Sequence, residues 1–229
     1  MQRRRRSSDG ETKGWDLVSL LSIGTAAAVT AAVYQRLPDP LPTHFDLEGN
    51  ADGWTPRALG AWLLPGLALL LWAAIRLGPR ILPASDRARL RPSTTALVAM
   101  MTACFMAALH VVVLGAALVP TLSVTKLVFG LVGALLVGLG LVLPRVRRNP
   151  LIGVRTAFTL RDDEIWARTQ RVGGYAMVIA GVVGGTAGAT GGPRGAVFAT
   201  GCFVMAGLVP AVHSLLLARR AEAERDRSS

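Results

Sequence analysis

Six apolar runs, each close to the length needed to cross about 30 Å of hydrocarbon, limit what this chain can become. They cover residues 17–34, 58–75, 94–119, 127–143, 172–189 and 195–217. Lipid offers no partner to a free backbone amide or carbonyl, so runs of this kind are expected to be helices. The fold class that follows is all-α: a polytopic membrane helix bundle with six transmembrane helices. A chain of 229 residues that is 52% hydrophobic and 17% charged fits that class and not an ordinary soluble domain.

The net charge of +11 does not point to nucleic acid, because the basic residues sit in short segments beside the apolar runs. Arg36, Arg57, Lys126 and Arg194 are the only basic residues on one side of the predicted topology; all the others fall on the opposite side. The positive-inside rule then places both termini in the cytoplasm. The chain divides into a basic cytoplasmic arm (1–14), the first two spans with an ordered outer loop at 37–57 (15–93), the third and fourth spans (94–144), a polar segment with the fifth and sixth spans (145–217), and a charged cytoplasmic tail (218–229). The arm, with Arg3 to Arg6 in a block, reads as a topogenic tail. It is not a cleaved signal, because the run behind it is long enough to span and five more follow. Cys104 and Cys202 lie inside apolar runs and read as packing residues. Spans four to six are rich in glycine, with small-xxx-small pairs at Gly181/Gly185 and Gly184/Gly188 that suit close helix packing, and secondarily a homo-oligomer.

Two polar segments carry the remaining information. In the outer loop, Pro38, Pro40 and Pro42 enforce an extended entry, and Glu48-Gly49-Asn50 and Asp52-Gly53 are turn chemistry. Asp39, Asp46, Glu48 and Asp52 make the loop acidic against Arg36 and Arg57. His44 with Asp46, Glu48 and Asp52 is the one group that resembles a metal or acid/base cluster, but zinc sites want more than one His or Cys, so no metal and no catalytic residue is expected. His110, near mid-depth in the third span, reads as an imidazole bonded to a neighbouring helix, since the spans supply no acid to relay a proton.

The second segment, residues 149–173, is the most patterned. Thr159, with Asp162 three positions on, predicts a helix start, and Asp162, Asp163 and Glu164 followed by Arg168 and Arg171 complement a helix dipole. A short amphipathic helix over 160–172 at the membrane surface is expected, with Ile165, Trp166, Thr169 and Val172 on one side and a Glu164–Arg168 pair on the other.

The run Asn149-x-x-x-Gly153-Val154-Arg155-Thr156-x-Phe158-Thr159-Leu160, continued by Ile165-Trp166-x-x-Thr169-x-Arg171 and Gly173, resembles the signature of the SdpI family of bacterial peptide-toxin immunity membrane proteins. Ala157, Phe158 and Gln170 stand where Pro, Trp and His are usual. Leu37, Pro38, Pro42, His44, Phe45, Gly49, Asp52, Gly53 and Trp54 likewise resemble the family's amino-terminal loop. The resemblance implies a multi-pass protein of the bacterial cytoplasmic membrane that gives immunity to a secreted antimicrobial peptide, and that in the family's best-understood arrangement also senses the toxin and holds a cytoplasmic transcriptional repressor at the bilayer. On this reading His44, Phe45, Asp46, Asp52 and Trp54 face the toxin. Asn149, Gly153, Arg155, Thr156, Thr159, Trp166, Thr169 and Arg171 form the cytoplasmic docking signature. No cofactor, no direct nucleic-acid contact and no enzymatic activity are expected. The alternatives are a small-molecule or ion transporter, for which interrupted spans and partnered mid-depth charges are missing, and a membrane enzyme using the His44 cluster.

Overall fold

A computed structural model describes residues 2–228, with side chains over 10–227. The elements are α1 (Gln2–Val33), a hairpin of β1 (Leu41–Phe45) and β2 (Ala51–Thr55), α2 (Arg57–Leu77), α3 (Ala84–Arg89), α4 (Pro92–Leu118), α5 (Val124–Val142), α6 (Asp163–Thr190) and α7 (Gly192–Ser228). Among the described residues six helices are long and apolar enough to cross a membrane, at the six places where the sequence predicts spans. The protein is a multi-pass membrane helix bundle. Helix α1 also takes in most of the 1–14 arm, whose Arg3–Arg6 side chains lie outside the described ones.

The bundle is built from two groups of three. Helices α1, α2 and α4 pack together, α5, α6 and α7 pack together, and α4 against α5 joins the groups. In lipid the hydrophobic effect does not hold helices to one another, so packing and a few polar ties must. The α5–α6 contact uses backbone: a Cβ added at Gly133 would sit 2.6 Å from the Gly181 carbonyl and 2.8 Å from Gly185 Cα. One added at Gly140 would sit 2.7 Å from the Gly174 carbonyl. The glycines of these spans thus serve packing within the chain, apart from Gly130, which faces open space.

The first group is tied at two depths. Thr30 Oγ1 lies 2.6 Å from His110 Nε2 and 3.2 Å from the Ala61 carbonyl, so one hydroxyl joins α1, α4 and α2 where all three are buried. At the end away from the hairpin, Arg76 holds Asp16 through two bonds of 2.6 and 2.7 Å and donates to Thr95 Oγ1 at 3.0 Å. Each knot crosses three helices with one side chain.

One sequence expectation is corrected. The amphipathic stretch is no separate surface helix, because α6 starts at Asp163 and runs without a break to Thr190. Asp162, and not Thr159, caps it, with its carboxylate accepting from the Glu164 and Ile165 amides. The face carrying Trp166 and Thr169 is buried against protein and not laid on headgroups.

Gly133→Ala is expected to destabilise the α5–α6 pair by about 1–3 kcal/mol through overpacking, whereas Gly130→Ala should leave stability unchanged. Unfolding midpoints of the two purified variants in detergent check the contrast.

Candidate functional site

The segment between α5 and α6 is a long irregular loop whose backbone groups must be satisfied one by one. Asn149, 2% exposed, does most of this at the start: its Oδ1 accepts from the Leu151 and Ile152 amides at 2.8 Å each, and its Nδ2 donates to the Arg147 and Ile152 carbonyls. No other side chain of that size offers both a donor and an acceptor in one plane without charge. Gly153 follows at φ 121°, a region that disfavours any side chain, and an added Cβ would meet the Trp166 ring and Gln170 Oε1. Gln170 then pairs with both backbone groups of Val154, accepting from its amide at 2.9 Å and donating to its carbonyl at 3.0 Å.

Thr159 closes the loop. Its hydroxyl accepts from the Thr156 amide at 2.8 Å and donates to the Val154 carbonyl at 3.1 Å, while the Thr156 hydroxyl reaches Ser214 on α7 at 3.1 Å. Trp166 Nε1 donates to the Val146 carbonyl at 2.8 Å, and Arg148 grips Asp163 at 2.6 Å and the Leu160 carbonyl at 2.7 Å. Leu151, Ile152 and Val154 meanwhile reach the apolar gap between the two helix groups, facing Ile75 and Val98 on one side and Leu139 and Met177 on the other. Of the residues expected to form a docking signature, Asn149, Gly153, Thr156, Thr159, Trp166 and Thr169 therefore point into the fold. Arg155 and Arg171 are exposed, beside Arg161, Glu164 and Arg168, with Glu164 and Arg168 paired at 2.5 Å as the spacing predicts. Arg155 also donates from its guanidinium to the Pro150 carbonyl, which folds the end of its side chain back over the loop.

At the opposite end, the proline-rich entry becomes an antiparallel hairpin. Its turn is closed by the Gly49 amide on the Asp46 carbonyl and the Asp46 amide on the Asn50 carbonyl, with Gly49 at φ 92°. This three-residue connection with a left-handed glycine is a common hairpin solution. The Asp46 carboxylate accepts from the Asn50 amide and side chain. Those bonds, the Asn50 amide first, hold its carboxyl below the usual 3.8. His44 pairs with Asp52 across the strands at 2.5 Å, and Asp39 accepts from the Arg57 amide at the start of α2. His44 and Asp46 thus do not act as a pair: one bridges strands, the other shapes the turn. Among the described residues no group of three or more His, Cys, Asp or Glu is placed to hold a metal.

Beneath the hairpin lies a cavity of about 370 Å³ between α2, α4 and α5. His44, Phe45 and Asp46 form its rim, and Leu63, Leu64, Leu109, Val113, Val128 and Phe129 its apolar wall. Asp52 and Trp54 are exposed above it. The Thr125 hydroxyl, also lining this space, is buried without a hydrogen-bond partner. Sequence reading missed the cavity, because its walls come from three spans that each read only as apolar. It missed the Asp16–Arg76 tie as well, although an acid at the start of one span and an arginine at the end of the next share a depth and could have been paired on that ground.

Asn149→Ala removes four bonds and should loosen the loop by about 2–4 kcal/mol, read as faster tryptic cleavage at Arg155 and Arg161 in the detergent-solubilised protein. Asp162 makes the α6 start sensitive to acid. The Ile165 and Glu164 amides, aided by Arg225 and Arg148, lower its pKa from 3.8. The cap's contribution is accordingly complete above that value and is lost as pH falls through the depressed one, so Asp162→Asn should flatten the acid limb of an unfolding profile below about pH 4.

Two family models match the chain. Residues 145–216 match the SdpI/YfhL protein family, and residues 21–69 match a domain of unknown function, DUF1648. The outer-loop residues therefore fall in a domain model of their own. No curated protein and no solved structure shows significant similarity to the chain. The loop, with α6 and most of α7 behind it, is the segment that matches the SdpI/YfhL protein family model.

Proposed function

We propose that this chain protects a bacterium against a secreted, membrane-active peptide, and that it lies in the cytoplasmic membrane with both termini and the Asn149–Gly173 loop on the cytoplasmic side. The observation that carries the reading is the cavity under the hairpin: an apolar chamber with an acidic rim, at the end of a bundle whose other end bears the loop with which the family match begins. Peptides that attack membranes combine basic and apolar side chains, and this cavity offers a counterpart to each. His44 and Asp52 hold one another across the strands and so fix the rim that the peptide would meet.

Phe129 gives occupancy a route onward. It lines the cavity, its ring meets Gly188 of α6, and it stacks on Phe203 of α7 with centroids 5.8 Å apart. A ligand that shifts Phe129 displaces the helix pair that carries the loop. In this proposal the exposed Arg155 and Arg171 then present or withdraw a surface for a cytoplasmic transcriptional repressor. The mechanism requires the ligand to favour one helix arrangement over the other.

Survival of a sensitive bacterium expressing the chain, challenged with cationic membrane-active peptides, tests the reading. Protection is expected from the unaltered protein, with a loss of about tenfold or more when Val128→Trp fills the cavity at equal membrane level, the scale of an excluded apolar anchor. Protection that survives a filled cavity would remove the cavity from the mechanism, and no protection against any peptide would remove immunity itself. Periplasmic reporters should be active when fused within 37–57 and silent within 149–162; the reverse pattern would overturn the orientation.

A further inference from the structure

At the end of the bundle away from the hairpin lies another cavity, of about 450 Å³ and rich in arginine, that the immunity reading does not use. Arg89 of α3, Arg145 and Arg147 of the turn after α5, and Arg148 of the loop surround it, against a single acid, Asp163. Its floor is Pro144, Val146, Trp166 and Ala167. The volume is within the range of about 300–1,000 Å³ typical of small-ligand sites. Asp163 is already engaged by Arg148 at 2.6 Å and approached by Arg89 at 3.8 Å. Arg145 spends one N–H on the Leu141 carbonyl, and the Arg147 side chain is exposed and makes no hydrogen bond or ion pair among the described residues. The cavity therefore holds more guanidinium donors than the protein satisfies.

We infer that this cavity binds the phosphodiester headgroup of an anionic phospholipid in the adjacent leaflet. Planar guanidinium groups match phosphate oxygens two at a time, and two separate chain segments, α3 and residues 145–148, deliver them to one place. The cavity sits where α5 ends and α6 begins, so it is level with headgroups whichever way the bundle is oriented. The apolar floor accepts the glycerol and the first methylenes, which a free phosphate lacks. The Arg219–Arg220 pair on α7 is the natural comparison, because it is exposed and lines none of the cavities described above.

Native mass spectrometry of the full chain, released from detergent with equal phosphatidylglycerol and phosphatidylethanolamine, tests the inference. Retention of phosphatidylglycerol over phosphatidylethanolamine is expected. Arg147→Glu should lower retention about fivefold and an Arg145→Gln/Arg147→Gln double change about tenfold or more, at roughly a factor of five per cation. Arg219→Gln/Arg220→Gln should change nothing. Since the exposed Arg147 side chain makes no hydrogen bond or ion pair among the described residues, its variant stays informative if the double change lowers yield. Equal retention of both lipids, an Arg147→Glu protein that binds as the unaltered one does, or displacement of the lipid by excess inorganic phosphate would each overturn the assignment.

Discussion

The close approach of α5 and α6 is the contact on which the rest of the molecule depends. Where Gly133 meets Gly181 and Gly140 meets Gly174, two backbones lie at a distance no side chain could share. Helices in lipid gain little from hiding apolar area from one another, so such contact, summed over many atoms, is what selects one neighbour over another. Helix α5 is otherwise only lightly attached to the first helix group, through α4. Remove the α5–α6 seam and both the loop at one end and the far wall of the hairpin cavity lose their anchorage.

The two motif-bearing segments lie across the gap between the helix groups. At one end β1 and the turn cover α2, α4 and α5. At the other, Leu151, Ile152 and Val154 line the space between α2 and α4 and the α5–α6 pair. Neither segment hangs free in solvent as a loop usually does; each closes one mouth of the same gap. That explains why so many polar residues of the loop point inward: they satisfy the backbone of a segment that is itself partly buried.

Much of this was legible in the residues. The spans follow from run length alone, and the Glu164–Arg168 pair, the turn at Gly49 and the bonded His110 follow from local chemistry. The start of α6 was misread for a physical reason. Thr159 and Asp162 both carry an oxygen suited to capping, and only the three-dimensional path shows that the Thr159 hydroxyl is consumed by the Val154 carbonyl and the Thr156 amide. The hairpin was legible as an ordered extended loop but not as paired strands, because the cross-strand partners of Leu41 and Pro42, Thr55 and Trp54, follow from register and not from spacing. The cavities depend on three helices at once and have no signature in any one of them.

The pairing of Gln170 with Val154 has a consequence for how the loop responds to its surroundings. A carboxamide holds a donor and an acceptor side by side, so it can take a backbone amide and return a bond to the carbonyl of the same residue. An imidazole, whose two nitrogens face apart, could serve only one of those partners at a time. With glutamine in this place the joint between loop and helix contains no group that gains or loses a proton near neutrality. A pH change near neutrality therefore leaves the Gln170–Val154 bonds as they were, and acid reaches this end of the helix only through the Asp162 cap.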